Sequence, residues 1–276
     1  MTNTPISERP PRMLKPSIFW DITSGIPQNL RWMLMAISII TPLVLWAVVS
    51  SQGWVKPLFL PSPMAVWQAI ADLWGSGDLQ KDIIYSVLRV LIGFILAVIV
   101  SIPLGIMMGT FGSIRALFEP IIGILRYMPA PAFIPLLVLY FGVGEIPKVL
   151  LIFIGTLFFN TLMIMDAVKF VPKELIEATY TLGGQRPQVV VKVIFPYILP
   201  KIIDACRVNI AASWNLVIVS ELVAATEGLG RRISVAQRFL NTDQIFAGLI
   251  VIGLIGLLID LCFIWLQRFL CRWSID

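Results

Sequence analysis

Histidine is absent from all 276 residues. That removes the commonest general base, the commonest zinc ligand and every Ser-His-Asp or Cys-His arrangement. Charge is scarce too: Asp, Glu, Lys and Arg make up 13% of the chain, against about 25% in a soluble globular protein. No G-x-x-x-x-G-K-[ST] occurs, so the sequence offers no loop of its own to cradle ATP phosphates. The three cysteines, Cys206, Cys262 and Cys271, form no C-x-x-C and lie in or beside apolar runs. They imply neither a disulfide framework nor a metal site, and read as small hydrophobes. No basic run with interleaved aromatics occurs either, which argues against nucleic acid despite a formal net charge of +5.

Apolar surface is what the chain has in abundance. Hydrophobic residues are 58% of the sequence and the mean hydropathy is +0.89. This excludes a disordered chain and an ordinary cytosolic enzyme, and predicts an all-α, polytopic membrane protein. A spanning helix needs about 20 mostly apolar residues. Six segments qualify: 33–51, 87–108, 116–141, 149–165, 202–225 and 245–266. The third is broken by Pro129, Pro131 and Pro135, the fifth is interrupted by Asp204, Arg207 and Glu221, and the sixth contains Asp260. With the N-terminus inside, twelve Lys and Arg fall on inner segments and six on outer ones. Both termini are therefore expected to be cytoplasmic. Residues 1–30 lack the apolar core of a signal peptide and read as a cytoplasmic tail, with a short interfacial helix around 18–22. Residues 31–276 then form one transmembrane domain. Helical periodicity over 64–74 suggests an amphipathic helix along the outer face.

The fourth connection, 169–201, is too organised for a simple turn. Pro172 can open a helix, and Leu175, Ala178, Thr179 and Leu182 fall on one face at helical spacing. Gly183 and Gly184 can close it through a left-handed turn. A second short helix is expected from Pro187 to about Phe195, stopping at Pro196. One reading is an interfacial helix on lipid headgroups; the other is a knob that docks into a cytoplasmic partner.

At these residues a family resemblance emerges. Glu177-Ala178-Thr179, then Gly183, then Val193-Ile194-Phe195-Pro196 resembles the "EAA" loop of binding-protein-dependent ABC importer permeases, with Thr179 in place of the third Ala and Val193 in place of Ile. Leu60-Pro61-Ser62-Pro63, the stretch from Arg89 to Phe94, Ile102-Pro103-Leu104-Gly105, Arg126 to Ala132, and Glu221-Leu222-Val223-Ala224-Ala225 before Gly228-Leu229-Gly230 resemble the branch carrying nitrate, bicarbonate, sulfonates and taurine. The resemblance implies a type I importer permease fold in a bacterial plasma membrane and a coupling loop at 170–200. It also implies two cytoplasmic ATPase subunits that hold the ATP and magnesium, an extracytoplasmic binding protein and a second permease copy, most simply a homodimer. Glu177, Ala178, Thr179, Gly183, Gly184 and Pro196 would couple to the ATPases. The chain itself would be no enzyme.

Charged groups inside spans are expensive and mark candidate sites. Arg126, at the proline-broken point, is read as an anion contact, a partner of Glu119 or a cap on broken-helix carbonyls. Trp214 and Asn215 would line the substrate path, though Trp214 reads equally as packing, and Glu221 would be a gate or a structural hydrogen bond. Arg89 and Arg207 are expected to snorkel toward headgroups, and Asp260 to pair with a neighbouring helix. Arg126 and the basic balance favour nitrate or nitrite, then bicarbonate, then alkylsulfonate or taurine. An ion-gradient-driven transporter is the rival class, but it needs no docking loop. An intramembrane hydrolase would need Gly-x-Gly-Asp within a span or paired carboxylates in apposed spans; the one Gly75-Ser76-Gly77-Asp78 lies ahead of the second apolar run, and no such carboxylate pair is present.

Overall fold

The computed structural model describes residues 26–274; the helix expected around 18–22 and most of the 1–30 tail lie outside them. The elements are α1 (Gln28–Ser51), α2 (Pro63–Gly75), α3 (Asp78–Thr110), α4 (Gly112–Leu125), α5 (Ile134–Phe141), α6 (Glu145–Val168), α7 (Lys173–Thr181), α8 (Arg186–Gln188), α9 (Phe195–Ala224), α10 (Leu229–Arg238) and α11 (Thr242–Leu270). No strand occurs among the described residues. The chain divides into two units, residues 1–55 and 56–276. The first contains α1, whose one charge is Arg31. At about 1.5 Å per residue its 24 residues suffice to cross a hydrocarbon layer.

In the second unit, α2 starts where the 60–63 motif places it. The Ser62 hydroxyl accepts from the Ala65 N–H at 3.2 Å, and Pro63 takes the first helical position. Val66, Ala69 and Leu73 are buried at helical spacing while Trp67 and Trp74 stay exposed.

The core is α3, α6 and α9. α3 and α6 run parallel and very close: Gly93 lies against Val149 and Ile152, Gly105 against Thr161 and Ile164, Gly109 against Met165 and Val168. A Cβ on any of the three would come within 2.8 Å of a neighbouring atom. In lipid, where helices gain nothing by leaving water, such small residues let backbones approach and gain dispersion contact. α9 runs antiparallel to α6, and buried polar side chains join the three helices. Asn160 donates to the Ser101 hydroxyl at 2.6 Å, Asn209 donates to Asn160 Oδ1 at 3.1 Å, and the Thr156 and Ser213 hydroxyls meet at 2.9 Å.

α1, α3, α6 and α11 are each long and apolar enough to span a membrane. The expected break at Pro129–Pro135 is an 84° bend between α4 and the Ala130–Phe141 segment, a pair long and apolar enough to count as a fifth span if it crosses as one. The fifth expected span falls in α9, whose 30 residues include Lys201, Asp204, Arg207 and Glu221. Two of these charges are matched by α11. Arg207 donates to Asp260, through Nη2 to Oδ2 at 2.7 Å, and Gln267 donates to Asp204 at 2.9 Å. The expected Asp260 pair is thus present, whereas Arg207 does not snorkel.

A larger ionic cluster closes one end of the bundle, and Arg89 is its centre. Arg89 is 2% exposed. It donates from Nε and Nη2 to the two Glu145 oxygens, and from Nη1 to Glu221 and to the Glu227 carbonyl, each of the last two at 2.7 Å. The snorkelling expected of Arg89 is therefore corrected: two carboxylates from α6 and α9 draw the guanidinium inward. Three successive backbone N–H groups at the start of α10 are also satisfied there. Gly228 donates to Asp82, Leu229 to the Ser86 hydroxyl and Gly230 to Glu221, at 2.8, 3.0 and 2.8 Å. These are the free amides and positive dipole end that every helix N-terminus presents. Gly228, at φ 128°, has no room for a Cβ, which would fall 2.5 Å from the Glu221 carboxylate. At the rim, Lys81 holds the Glu227 carboxyl below the usual carboxylate range.

Candidate functional site

Two features stand apart from this closed core: a helical loop at the opposite end of the bundle, and a cleft at the bend. In the loop, α7 ends as the glycine pair predicts. Gly183 adopts φ 82°, and the N–H groups of Gly183 and Gly184 donate to the Tyr180 and Thr179 carbonyls at 2.9 and 2.8 Å. Gly184 is required by space as well: a Cβ there would lie 2.7 Å from the Thr179 carbonyl oxygen. Glu177, Ala178, Leu175 and Leu182 are exposed, Leu182 to 88%. Thr179 departs from expectation. It is half-buried, donates to the Leu175 carbonyl at 2.7 Å and packs on Gly184, so it braces the turn instead of joining the exposed face.

Pro196 does not stop the next helix. From α8 the chain passes through a π-helical stretch, Val189–Ile194, directly into α9. A proline lacks the N–H for an α-helical bond and its ring presses on the carbonyl four residues back. The wider π turn, in which the Phe195 N–H donates to the Val190 carbonyl, accommodates it, and Pro196 falls in the first turn of α9. The loop is thereby welded to the longest core helix but α3.

The cleft lies between the bend, α6 and α9, with a volume of about 410 Å³. Phe158, Phe159 and Leu216 supply apolar wall; Arg126, Asn209 and Asn215 supply the polar groups. Arg126 follows α4 directly, is exposed, and donates to the Tyr127 hydroxyl at 3.0 Å while its guanidinium lies 4.8 Å from that ring's centre. Glu119 is engaged by Arg115 at 3.2 Å, which removes the expected pairing alternative. Among the described residues Arg126 has no carboxylate partner.

Comparison with known proteins places this architecture. The family model described as "Binding-protein-dependent transport system inner membrane component" matches residues 101–274. The chain belongs to that family. The taurine transport system permease protein of Escherichia coli K12 is 35% identical over 236 residues, covering 84% of this chain and 86% of that protein. A Bacillus subtilis 168 permease provisionally named for aliphatic sulfonate transport is 30% identical over 231 residues, covering 84% of each. An inward-facing structure of the MetNI methionine ABC transporter superposes with a TM-score of 0.63 at 18% identity, covering 70% of this chain and 96% of that one. The chain is thus a multi-pass inner-membrane permease with the type I ABC importer fold, of the branch that includes taurine, sulfonate and bicarbonate permeases.

For this permease the structure sorts the proposed path residues. Arg126 and Asn215 come together at the cleft. Trp214 does not: it is 6% exposed and belongs to the core cluster, since adjacent positions on a helix face about 100° apart. Glu221 is 1% exposed, fully engaged by Arg89, Ser86 and Gly230, and is no part of the cleft. Asn209 was not foreseen. It lies six residues before Asn215, about 120° round the helix, so spacing within the helix carried no signal.

Proposed function

We propose that this permease forms the translocation path of an ATP-driven importer for a small sulfonate-bearing solute. The cleft carries this reading: one unpaired guanidinium beside largely apolar walls. A guanidinium offers a planar fork of donors that can hold two sulfonate oxygens while a short carbon chain rests on Phe158 and Leu216. Nitrate, nitrite and bicarbonate have no hydrocarbon to place there and need more donors when stripped of water. The 35% identity to a taurine permease points the same way, so a sulfonate stands ahead of the inorganic anions in this account.

Two copies would face each other with one Arg126 each, delivering solute from an extracytoplasmic binding protein. Two cytoplasmic ATPase subunits, which would bind the ATP and magnesium, dock on the exposed face of α7 at Glu177, Ala178 and Leu182. Movement of that loop passes into α9 because the Val189–Ile194 stretch joins them without a break. Cytoplasmic termini follow from this arrangement. The test is uptake into vesicles bearing the assembled importer: ethanesulfonate or taurine enters in an ATP-dependent manner, and Arg126→Ala lowers entry by about tenfold or more, the scale of a lost charged hydrogen bond. Uptake of nitrate or bicarbonate with no uptake of either sulfonate overturns the reading.

A further inference from the structure

At the end of the bundle that carries the α7 loop, the end of α6, the start of α9 and the residues after α11 enclose a cavity of about 430 Å³. Ala167 and Ile198 give it a buried, apolar floor, and Phe170, Tyr197 and Trp273 stand exposed around it. Lys201 is the one charged residue in its lining. It lies six residues into α9, about 9 Å along the axis, yet among the described residues it has no carboxylate partner. Asp166 and Asp204 line a second hollow that Lys201 also borders, and both are engaged there. Lys169 holds Asp166 at 2.6 Å, and Gln267 donates to Asp204 at 2.9 Å. Arg272, beside Trp273, lies 5.9 Å from the Phe269 ring centre. The cavity thus joins an unanswered cation to an aromatic rim and an apolar floor.

We infer that this cavity binds an anionic phospholipid of the surrounding leaflet, with the headgroup phosphate on Lys201 and the glycerol and first acyl carbons against Phe170, Tyr197 and Trp273. Three features favour a lipid as the occupant. Tyr and Trp gather at headgroup level, where one end of the ring is wet and the other apolar. A lysine a short way inside a spanning helix carries its ammonium out to that same level along an apolar stem. Basic pockets between spanning helices at such a level take anionic headgroups. A zwitterionic phospholipid brings its own ammonium, which Lys201 repels, so the site reads net charge and not phosphate alone. The cavity shares no lining residue with the cleft at Arg126, and the inference stands independently of the sulfonate reading.

The test titrates phosphatidylglycerol and phosphatidylethanolamine separately into the delipidated permease–ATPase complex and counts bound lipid by native mass spectrometry. Lys201 is exposed, so Lys201→Gln leaves the fold intact. Wild type binds phosphatidylglycerol about tenfold more tightly than phosphatidylethanolamine, the scale of a hydrogen bond to a charged group. Lys201→Gln removes most of that preference, and Lys201→Arg keeps it. Trp273→Ala weakens both lipids severalfold by taking away part of the aromatic rim. Lys192→Gln is the control: it removes the same charge just before α9 without touching the cavity, and it shrinks the preference by less than Lys201→Gln does. Equal wild-type affinities, a preference unmoved in Lys201→Gln, or equal losses in Lys192→Gln and Lys201→Gln overturn the site. Glycerol 3-phosphate bound as tightly as the lipid overturns it too, because a free phosphate and not a lipid would then be the occupant.

Discussion

Arg89 and Arg126 are both guanidinium groups in or beside helices of the membrane domain, and the structure treats them oppositely. Arg89 is buried, spends four N–H bonds on Glu145, Glu221 and the Glu227 carbonyl, and holds α3, α6 and α9 to the start of α10. Arg126 lies at an irregular stretch of backbone, exposed, with the neighbouring Tyr127 as its hydrogen-bond partner. A charge within a span therefore signals function only after its partners are counted. Where two carboxylates answer it, the charge is part of the scaffold; where none does, it is available to a solute.

The largest effect that would break this contrast is at Arg89. Arg89→Met leaves Glu145 and Glu221 without their shared counter-ion, and orphaning a buried charge in this way costs about 3–5 kcal/mol. We expect a sharp fall in thermal stability and in assembled complex, with Arg89→Lys only a partial rescue because an ammonium lacks the fork. A stable, fully assembled Arg89→Met permease would show that the cluster is not structural.

The loop gives the next largest effect. Gly184→Val drives a branched side chain into the Thr179 backbone and misshapes the turn that presents α7. Transport per assembled complex should fall severalfold or more with little change in membrane insertion. Normal transport at wild-type abundance would remove the loop from the coupling route. The smallest effect belongs to Arg207 and Asp260, both partly exposed. Asp260→Asn keeps an amide oxygen to accept from Arg207, so the melting temperature should fall by less than in Arg89→Met. A loss as large as that at Arg89 would mean that exposure does not separate the two cases.

These contrasts also explain what could be read before the fold was known. Apolar run length and proline position located α1, α3, α6, α11 and the bend, because those properties belong to a single helix in lipid. The Gly183–Gly184 turn was legible for the same reason: conformation and crowding there are local. The start of α3 was read nine residues late, at 87 instead of 78, because its polar first turns contact α10 and not lipid. The roles of Arg89, Glu221 and Trp214 depend on which helix faces which, and periodicity within one helix carries no such information. Pro196 misled because its usual effect on a helix is absorbed by a π turn that no short motif announces.

The most direct test of the account measures melting temperature and ATP-driven sulfonate uptake on the same preparations of wild type, Arg126→Ala and Arg126→Lys, with uptake expressed per assembled complex. We predict that Arg126→Ala melts within a degree or two of wild type, as substitutions at exposed sites do, yet loses most of its uptake, and that Arg126→Lys is intermediate because it keeps the charge without the fork. An Arg126→Ala permease that transports at the wild-type rate, or one that fails to assemble as Arg89→Met does, would contradict the claim that this arginine serves the solute and not the fold.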